Sequence, residues 1–291
     1  MIQKQRINIA AALDSNYVKY AYVMLTSVFE NQTYDLQIHV FLLQSGLAEW
    51  EKECLQDLIE SYGGRLHWLN VDSSVFPKEL PLPRYWPVEM YYRLMLQDIL
   101  PEDVERILYL DIDIIVNKPL AELYHTDFEG NMLCACSEPF SGVGFPDFRN
   151  ETFREQIKAG YIYFNSGVLL LNIKLLREKY HLEDYLKAAK KIDYKIVTPD
   201  QDLLNYVHWK EVKIIDASKY NLYARFAYNY GVRYEEVKEK VTIIHFLGNK
   251  PWNGKAERFD IEQLWWDYAE MTPFYEEIAE KFLEEAAGKN I

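Results

Sequence analysis

Asp111 and Asp113 stand one residue apart in RILYLDIDIIVNKPL, residues 106–120, a stretch that is otherwise mostly apolar. Two close carboxylates in such a setting repel each other and lose hydration unless a cation, a shared proton or basic partners compensate. As a single strand over Arg106–Val116, the run places both aspartates on one face and Ile112 on the other, because side chains two apart in a strand share a side. No basic residue lies between them, so a divalent metal is the chemistry this pair suggests; turn or cap aspartates with solvated heads are the alternative. His245, in VTIIHFLGNKPW, ends a second apolar run and is the candidate third ligand, although a lone histidine there also reads as a satisfied core residue. Gly248 allows close backbone approach and Lys250 can face an anion. Oxygen ligands with one imidazole suit Mn²⁺, with Mg²⁺ as the competitor.

The elements that must position these residues alternate. Ile7–Leu13, Gln37–Leu43 and Arg65–Val71 read as strands, and Tyr17–Asn31, Leu47–Tyr62 and Tyr91–Leu100 as helices. This β-α rhythm implies an α/β fold with a mostly parallel sheet flanked by helices. Ligands of such sheets sit outside the carboxyl ends of the strands, so His245 is expected at the same edge as the aspartates. Further strands are expected at Met132–Ser137, Val168–Asn172, Val212–Ile215 and Val241–Phe246, and helices at Leu182–Lys191 and Gln201–His208. The stretches 81–92 and 141–160 and the GNKPW segment are punctuated by Gly, Pro and aromatics and are expected to act as lids. After Lys255 the chain turns aromatic and acidic. Residues 1–255 are therefore expected to form the catalytic domain, and 256–291 a C-terminal helical extension.

Charge and composition narrow the function classes. The 291 residues hold 45 Asp and Glu against 32 Lys and Arg, a formal net charge of −13, which argues against bare nucleic acid or anionic membrane as a partner. No stretch approaches the ~20 apolar residues of a membrane span, and the N-terminal apolar run is too short for a secretory signal. Three cysteines with no disulfide framework suit a cytoplasmic protein. Cys134 and Cys136 read as small core side chains rather than a metal pair, since no second Cys or Cys-His pair accompanies them. Neither a G-x-G-x-x-G after the first strand nor a G-x-x-x-x-G-K-[ST] is present, so any nucleotide phosphate must be held by another device.

AALDSNY, LDID, YFNSGVLLLN, TPDQDLLN and HFLGNKPW, in this order, resemble glycosyltransferase family 8, from the N-terminus to about residue 255. The resemblance implies a GT-A-like (nucleotide-diphospho-sugar transferase) fold and retaining transfer of glucose or galactose from a UDP-sugar to a glycan or glycoconjugate. It implies Asp111, Asp113 and His245 as metal ligands, and Asp14, Asn16 and Tyr17 around uracil and ribose. Ile112 joins the donor-binding set, with Asn165 and Ser166 beside the sugar ring and Gly248 and Lys250 on the pyrophosphate. Asp200 and Gln201 fall near the reactive carbon, and Arg93 touches the donor's sugar or phosphate; these three form the expected catalytic set. Glu138 stands where many relatives carry Asp, and is also expected on the donor. Without the family pattern, Asp200 and Gln201 read as a helix cap and an exposed amide. The rival readings are a glycogenin-like self-glucosylating protein, a silent sugar-nucleotide or glycan-binding protein, and a metal-dependent phosphohydrolase.

Overall fold

The computed structural model describes residues 5–33, 36–82, 86–138 and 151–288. In chain order its strands are β1 (Gln5–Ala12), β2 (Leu36–Gln44), β3 (Arg65–Asn70), β4 (Ile107–Leu110) and β5 (Ile114–Val116), then β6 (Leu133–Ser137), β7 (Phe164–Leu171), β8 (Val212–Ile215), β9 (Leu222–Tyr223) and β10 (Ile243–His245). Side chains alternate across these strands and load both faces. Ile7, Ile9 and Ala11 of β1 enter one core and Ala10 the other; Ile38, Val40 and Leu42 of β2 face the first, Phe41 and Leu43 the second. A sheet with two apolar faces must be covered twice. Helices α1 (Val18–Glu30) and α2 (Glu49–Ser61) cover the first face; the Val88–Met95 3₁₀ helix and α3 (Leu182–Lys191) cover the second.

Seven strands lie in the order β3-β2-β1-β4-β7-β6-β8. Only β7 opposes its neighbours, pairing antiparallel with β4 and β6, and the other joins are parallel. The mostly parallel α/β sheet expected from the sequence is present. A second sheet, β5-β10-β9, was not foreseen. It arises because the expected strand Arg106–Val116 is two: β4 ends at Leu110 in the large sheet, and β5 begins at Ile114 in the small one. The two aspartates occupy the corner between them, not one strand face.

Other boundaries moved less. β7 begins four residues before Val168 and so carries Asn165 and Ser166 within the sheet. Tyr91–Leu100 divides into the 3₁₀ helix, with tight bonds such as Met90 N–H to Pro87 O at 3.3 Å, and a short α turn at Leu96–Ile99. Tyr91 and Tyr92 are fully buried, so that end of the expected lid is core. The expected lid residues 83–85 and 141–150 lie outside the described residues. Cys134 and Cys136 are buried free thiols, and burial pushes both up in pKa. Beyond residue 260, helices α5 (Gln263–Ala269) and α6 (Tyr275–Ala287) pack onto α1's core. Fully buried Trp265 of α5 lies 5.0 Å from Trp252, which stacks on Tyr20 of α1 at 4.0 Å. Among the described residues no helix is long and apolar enough to cross a membrane.

Candidate active site

The chain crosses from one sheet to the other in three residues. Asp111 N–H donates to Gly167 O at 2.8 Å, the last tie to β7, and Phe246 N–H donates to Asp113 O at 2.9 Å, the first tie to β10. His245 pairs with Ile114 in antiparallel register and with Tyr223 of β9 in parallel register. The histidine therefore reaches the aspartates through the small sheet, rather than from the carboxyl edge of a parallel one as expected. Ligand atoms of Asp111, Asp113 and His245 all lie within 4.8 Å of one another. Ile112, expected to point away, lines the same cavity as its neighbours because a corner does not alternate sides as a strand does.

Room for these three is made by Gly167. A Cβ there would lie 2.4 Å from His245 Cε1, 2.7 Å from Asp111 Oδ2 and 3.0 Å from Asn165 Oδ1. Only glycine admits that approach. Gly248 is different: its φ of +73° demands glycine, but a Cβ there would meet nothing within 4 Å, so backbone conformation sets its identity and not crowding by this chain.

Cations already compensate both carboxylates. Buried Arg93 reaches Asp111 Oδ1 at 2.7 Å and Asp200 Oδ2 at 3.2 Å, donates to Ser166 O, and lies 4.2 Å over the Tyr109 ring. Burial opposes its charge, but Asp111 and Asp200 outweigh that and hold the guanidinium more firmly protonated. Lys250 donates to Asp113 Oδ2, and His245 Nε2 lies 3.1 Å from Asp113 Oδ1. Burial favours the neutral form of Asp113, but Lys250 and His245 overcome it and hold the carboxyl well below the usual range. Burial raises Asp200, against the pull of Arg93, and Asp111 adds to the rise. Basic partners thus exist that the local sequence did not reveal. They come from a helix and a loop distant in the chain.

Beside this centre runs an amide network. Gln201 Oε1 accepts from Asn165 Nδ2 at 2.8 Å and from Ser166 N–H at 3.0 Å, while its Nε2 faces Glu138 Oε2 at 3.4 Å. Tyr223 O–H donates to that same Glu138 oxygen at 2.7 Å. Asp200 and Gln201 lie in the first turn of helix α4 (Pro199–His208), as expected, but neither caps it: Thr198 is the N-cap residue, and Asp202 Oδ2 accepts from Val197 and Thr198 N–H. Asp200 is left facing Arg93. At the end of β1, Asp14 Oδ1 accepts from Asn16 N–H at 3.0 Å and fixes the turn that presents Tyr17.

A cavity of about 620 Å³ opens on this assembly. Thirteen of the fifteen residues singled out in the sequence line it: Asp14, Tyr17, Arg93, Asp111, Ile112, Asp113, Glu138, Asn165, Ser166, Asp200, Gln201, Gly248 and Lys250. Asn16 is exposed beside it, and His245 is fully buried behind Asp113. Sequence reasoning missed Gly167, Tyr109, Asn221 and Tyr223. A glycine inside a strand signals close approach, so Gly167 was discoverable within NSGVLLL. Asn221 and Tyr223 carry no local signal, since the pairing of β9 with β10 alone brings them in.

Residues 8–256 match the model of glycosyl transferase family 8. A lipopolysaccharide 1,2-glucosyltransferase of Escherichia coli is 26% identical, over 87% of this chain and 75% of its own. A lipopolysaccharide 1,3-galactosyltransferase of Salmonella typhimurium is 25% identical, over 85% and 73%. Among solved structures, an active-site mutant of LgtC superposes with a TM-score of 0.76 at 24% identity, covering 91% of this chain and 96% of that one. The galactosyltransferase LgtC with donor and acceptor sugar analogues gives 0.73 at the same identity. The GT-A-like fold implied by the sequence motifs is the fold observed.

Proposed function

Because the chain belongs to glycosyl transferase family 8, and so is a hexosyltransferase, we propose that it moves glucose or galactose from the UDP-sugar to a glycan or glycoconjugate, with retention of configuration and with Mn²⁺. The observation that carries this reading is the convergence of Asp111, Asp113, His245 and Lys250 beside Asn165 and Gln201 at one cavity. Two carboxylates and an imidazole within one coordination radius suit Mn²⁺, with Mg²⁺ as the alternative. When bound, the metal neutralises charge on the diphosphate leaving group.

The chain's own residues supply the rest. Lys250 presents a compact ammonium to the same phosphate oxygens. Asp14, Asn16 and Tyr17 hold the nucleoside, and Gly248 turns the backbone toward the pyrophosphate. Ile112, Asn165, Ser166 and Glu138 surround the hexose, with Glu138 steadied by Tyr223. Arg93 ties Asp111 to Asp200 and opposes the rise that burial gives the Asp200 carboxyl. Double displacement needs a free carboxylate opposite the leaving group. Gln201 is a neutral amide whose oxygen already accepts two hydrogen bonds, and Asp200 is ion-paired to Arg93. Front-face attack is therefore favoured: the bond from the anomeric carbon to the phosphate oxygen breaks as the acceptor oxygen bonds to the same face. The acceptor's proton passes to the departing phosphate.

Residues 1–255 serve as the catalytic domain under this reading, and 256–291 as a helical extension that buttresses α1. Free cysteines and the acidic balance support a cytoplasmic location, where the donor is made. The relatives that act on lipopolysaccharide support a glycan-bearing acceptor. Turnover of UDP-glucose and UDP-galactose with Mn²⁺ and a core oligosaccharide tests the proposal, with product linkage read by NMR and the protein followed by intact mass. An α-linked product without a glycosyl-enzyme is expected. A β-linked product refutes retention, a covalent adduct refutes front-face attack, and sugar gained by the protein in place of the acceptor supports self-glucosylation instead.

A further inference from the structure

We propose that Asn221 is the positioning residue that presents His245 to the divalent cation, by fixing which ring nitrogen carries the proton. The proposal rests on the metal reading above and deepens it. Asn221 is 1% exposed and sits between the helical turn Ala217–Tyr220 and β9. Shape alone does not tell an amide's oxygen from its nitrogen; the hydrogen bonds around it do. Two backbone N–H groups, which have no alternative orientation, settle the direction here. Gly167 N–H donates to Asn165 Oδ1 at 2.9 Å, and Ser166 N–H donates to Gln201 Oε1, the atom to which Asn165 Nδ2 also donates. Both contacts orient Asn165 the same way, with its oxygen toward Asn221.

The group of Asn221 that meets Asn165 Oδ1, at 2.8 Å, is therefore its NH₂. Its oxygen is left facing His245 Nδ1, also at 2.8 Å. An oxygen can only accept, so Nδ1 carries the hydrogen. Nε2 is the nitrogen directed at Asp113, 3.1 Å from Oδ1, and it is therefore the one that a cation held by Asp113 would meet in place of a proton. Ligating histidines depend on such a partner at the other nitrogen to fix tautomer and ring orientation. The relay Gly167–Asn165–Asn221–His245 thus connects rigid backbone to a metal ligand, and through Asn165 it also reaches Gln201.

Two measurements test the assignment on the whole protein. In ¹⁵N-histidine spectra of the Mg²⁺–UDP complex, His245, assigned through His245→Gln, should carry its proton on Nδ1. A bare Nδ1 with protonated Nε2 would overturn the proposal without recourse to any variant. Calorimetric titration of Mn²⁺ in the presence of UDP should show Asn221→Leu binding roughly 10–100-fold more weakly, the loss usual for such partners of a metal ligand. Asn221→Asp keeps an acceptor oxygen toward Nδ1–H but sets its other oxygen against Asn165 Oδ1, so it should recover part of that affinity. Wild-type affinity in Asn221→Leu, or equal loss in both variants, would refute the role of Asn221. A wild-type protein that binds UDP without any dependence on Mn²⁺ would instead refute the metal reading on which the proposal rests.

Discussion

Gly167→Ala adds one methyl group at the point where the two sheets and the putting together of the ligand set depend on contact. Carbon atoms pack best at about 3.5–4.0 Å, whereas the new Cβ would lie 2.4 Å from His245 Cε1. The ring must retreat by about 1 Å to restore an ordinary contact. It has little freedom to do so, being fully buried and held in register by Ile114 on one side and Tyr223 on the other. Asp111 Oδ2, 2.7 Å from the same position, must move as well. A misplacement of about 1 Å at a reacting centre costs on the order of 100-fold in rate, or about 2.7 kcal/mol of transition-state stabilisation. Overpacking should separately cost about 1–3 kcal/mol of stability. Turnover and Mn²⁺ titration should both fall, with a lower unfolding midpoint in urea. Wild-type turnover and metal affinity in Gly167→Ala would refute the geometry of the site as described.

Asp111→Asn and Asp113→Asn should each abolish Mn²⁺-dependent UDP binding in calorimetry, with His245→Ala weakening it less because both carboxylates remain; unchanged affinity in both Asn variants would sink the ligand assignment. Tyr223→Phe removes the hydroxyl that holds Glu138, a hydrogen bond to a charged group worth about 1.5–3 kcal/mol; hexose transfer should slow while the affinity for UDP alone stays unchanged. Glu262 is buried, its oxygens lack hydrogen-bond geometry even toward Arg258 at 2.7 Å, and burial raises its pKa to about 7, above an ordinary 4.5. A raised carboxyl contributes stability that is present below its unfolded pKa and lost as pH climbs through the folded one. Stability should therefore decline from about pH 4.5 to about pH 7, by up to ~3 kcal/mol, and Glu262→Gln should remove that decline in urea melts. A variant with the wild-type pH profile would show that Glu262 is already ionised in the fold.

Most of the fold was legible because it rests on local periodicity. Ile7–Leu13, Gln37–Leu43 and Val212–Ile215 became β1, β2 and β8 with small changes at the ends. The residues that line the cavity were legible as motifs, each on its own short segment. The break between Leu110 and Ile114 was not, since an apolar run interrupted by aspartates looks the same whether it stays in one sheet or changes sheets. Nor could the spacing of Asp111 and Asp113 reveal Arg93 and Lys250, 18 and 137 residues away along the chain from the carboxylates they touch. The same holds for Asn221, whose meaning comes from contacts with Asn165 and His245 that only the folded chain creates.

The central claim is that Asp111, Asp113 and His245 hold a divalent cation through which the cavity binds a nucleotide diphosphate. Calorimetric titration of UDP into the wild-type protein, once with Mn²⁺ and once with EDTA, tests it most directly. The account predicts saturable binding with Mn²⁺ that is lost or severely weakened in EDTA. Equal affinity under both conditions would contradict it.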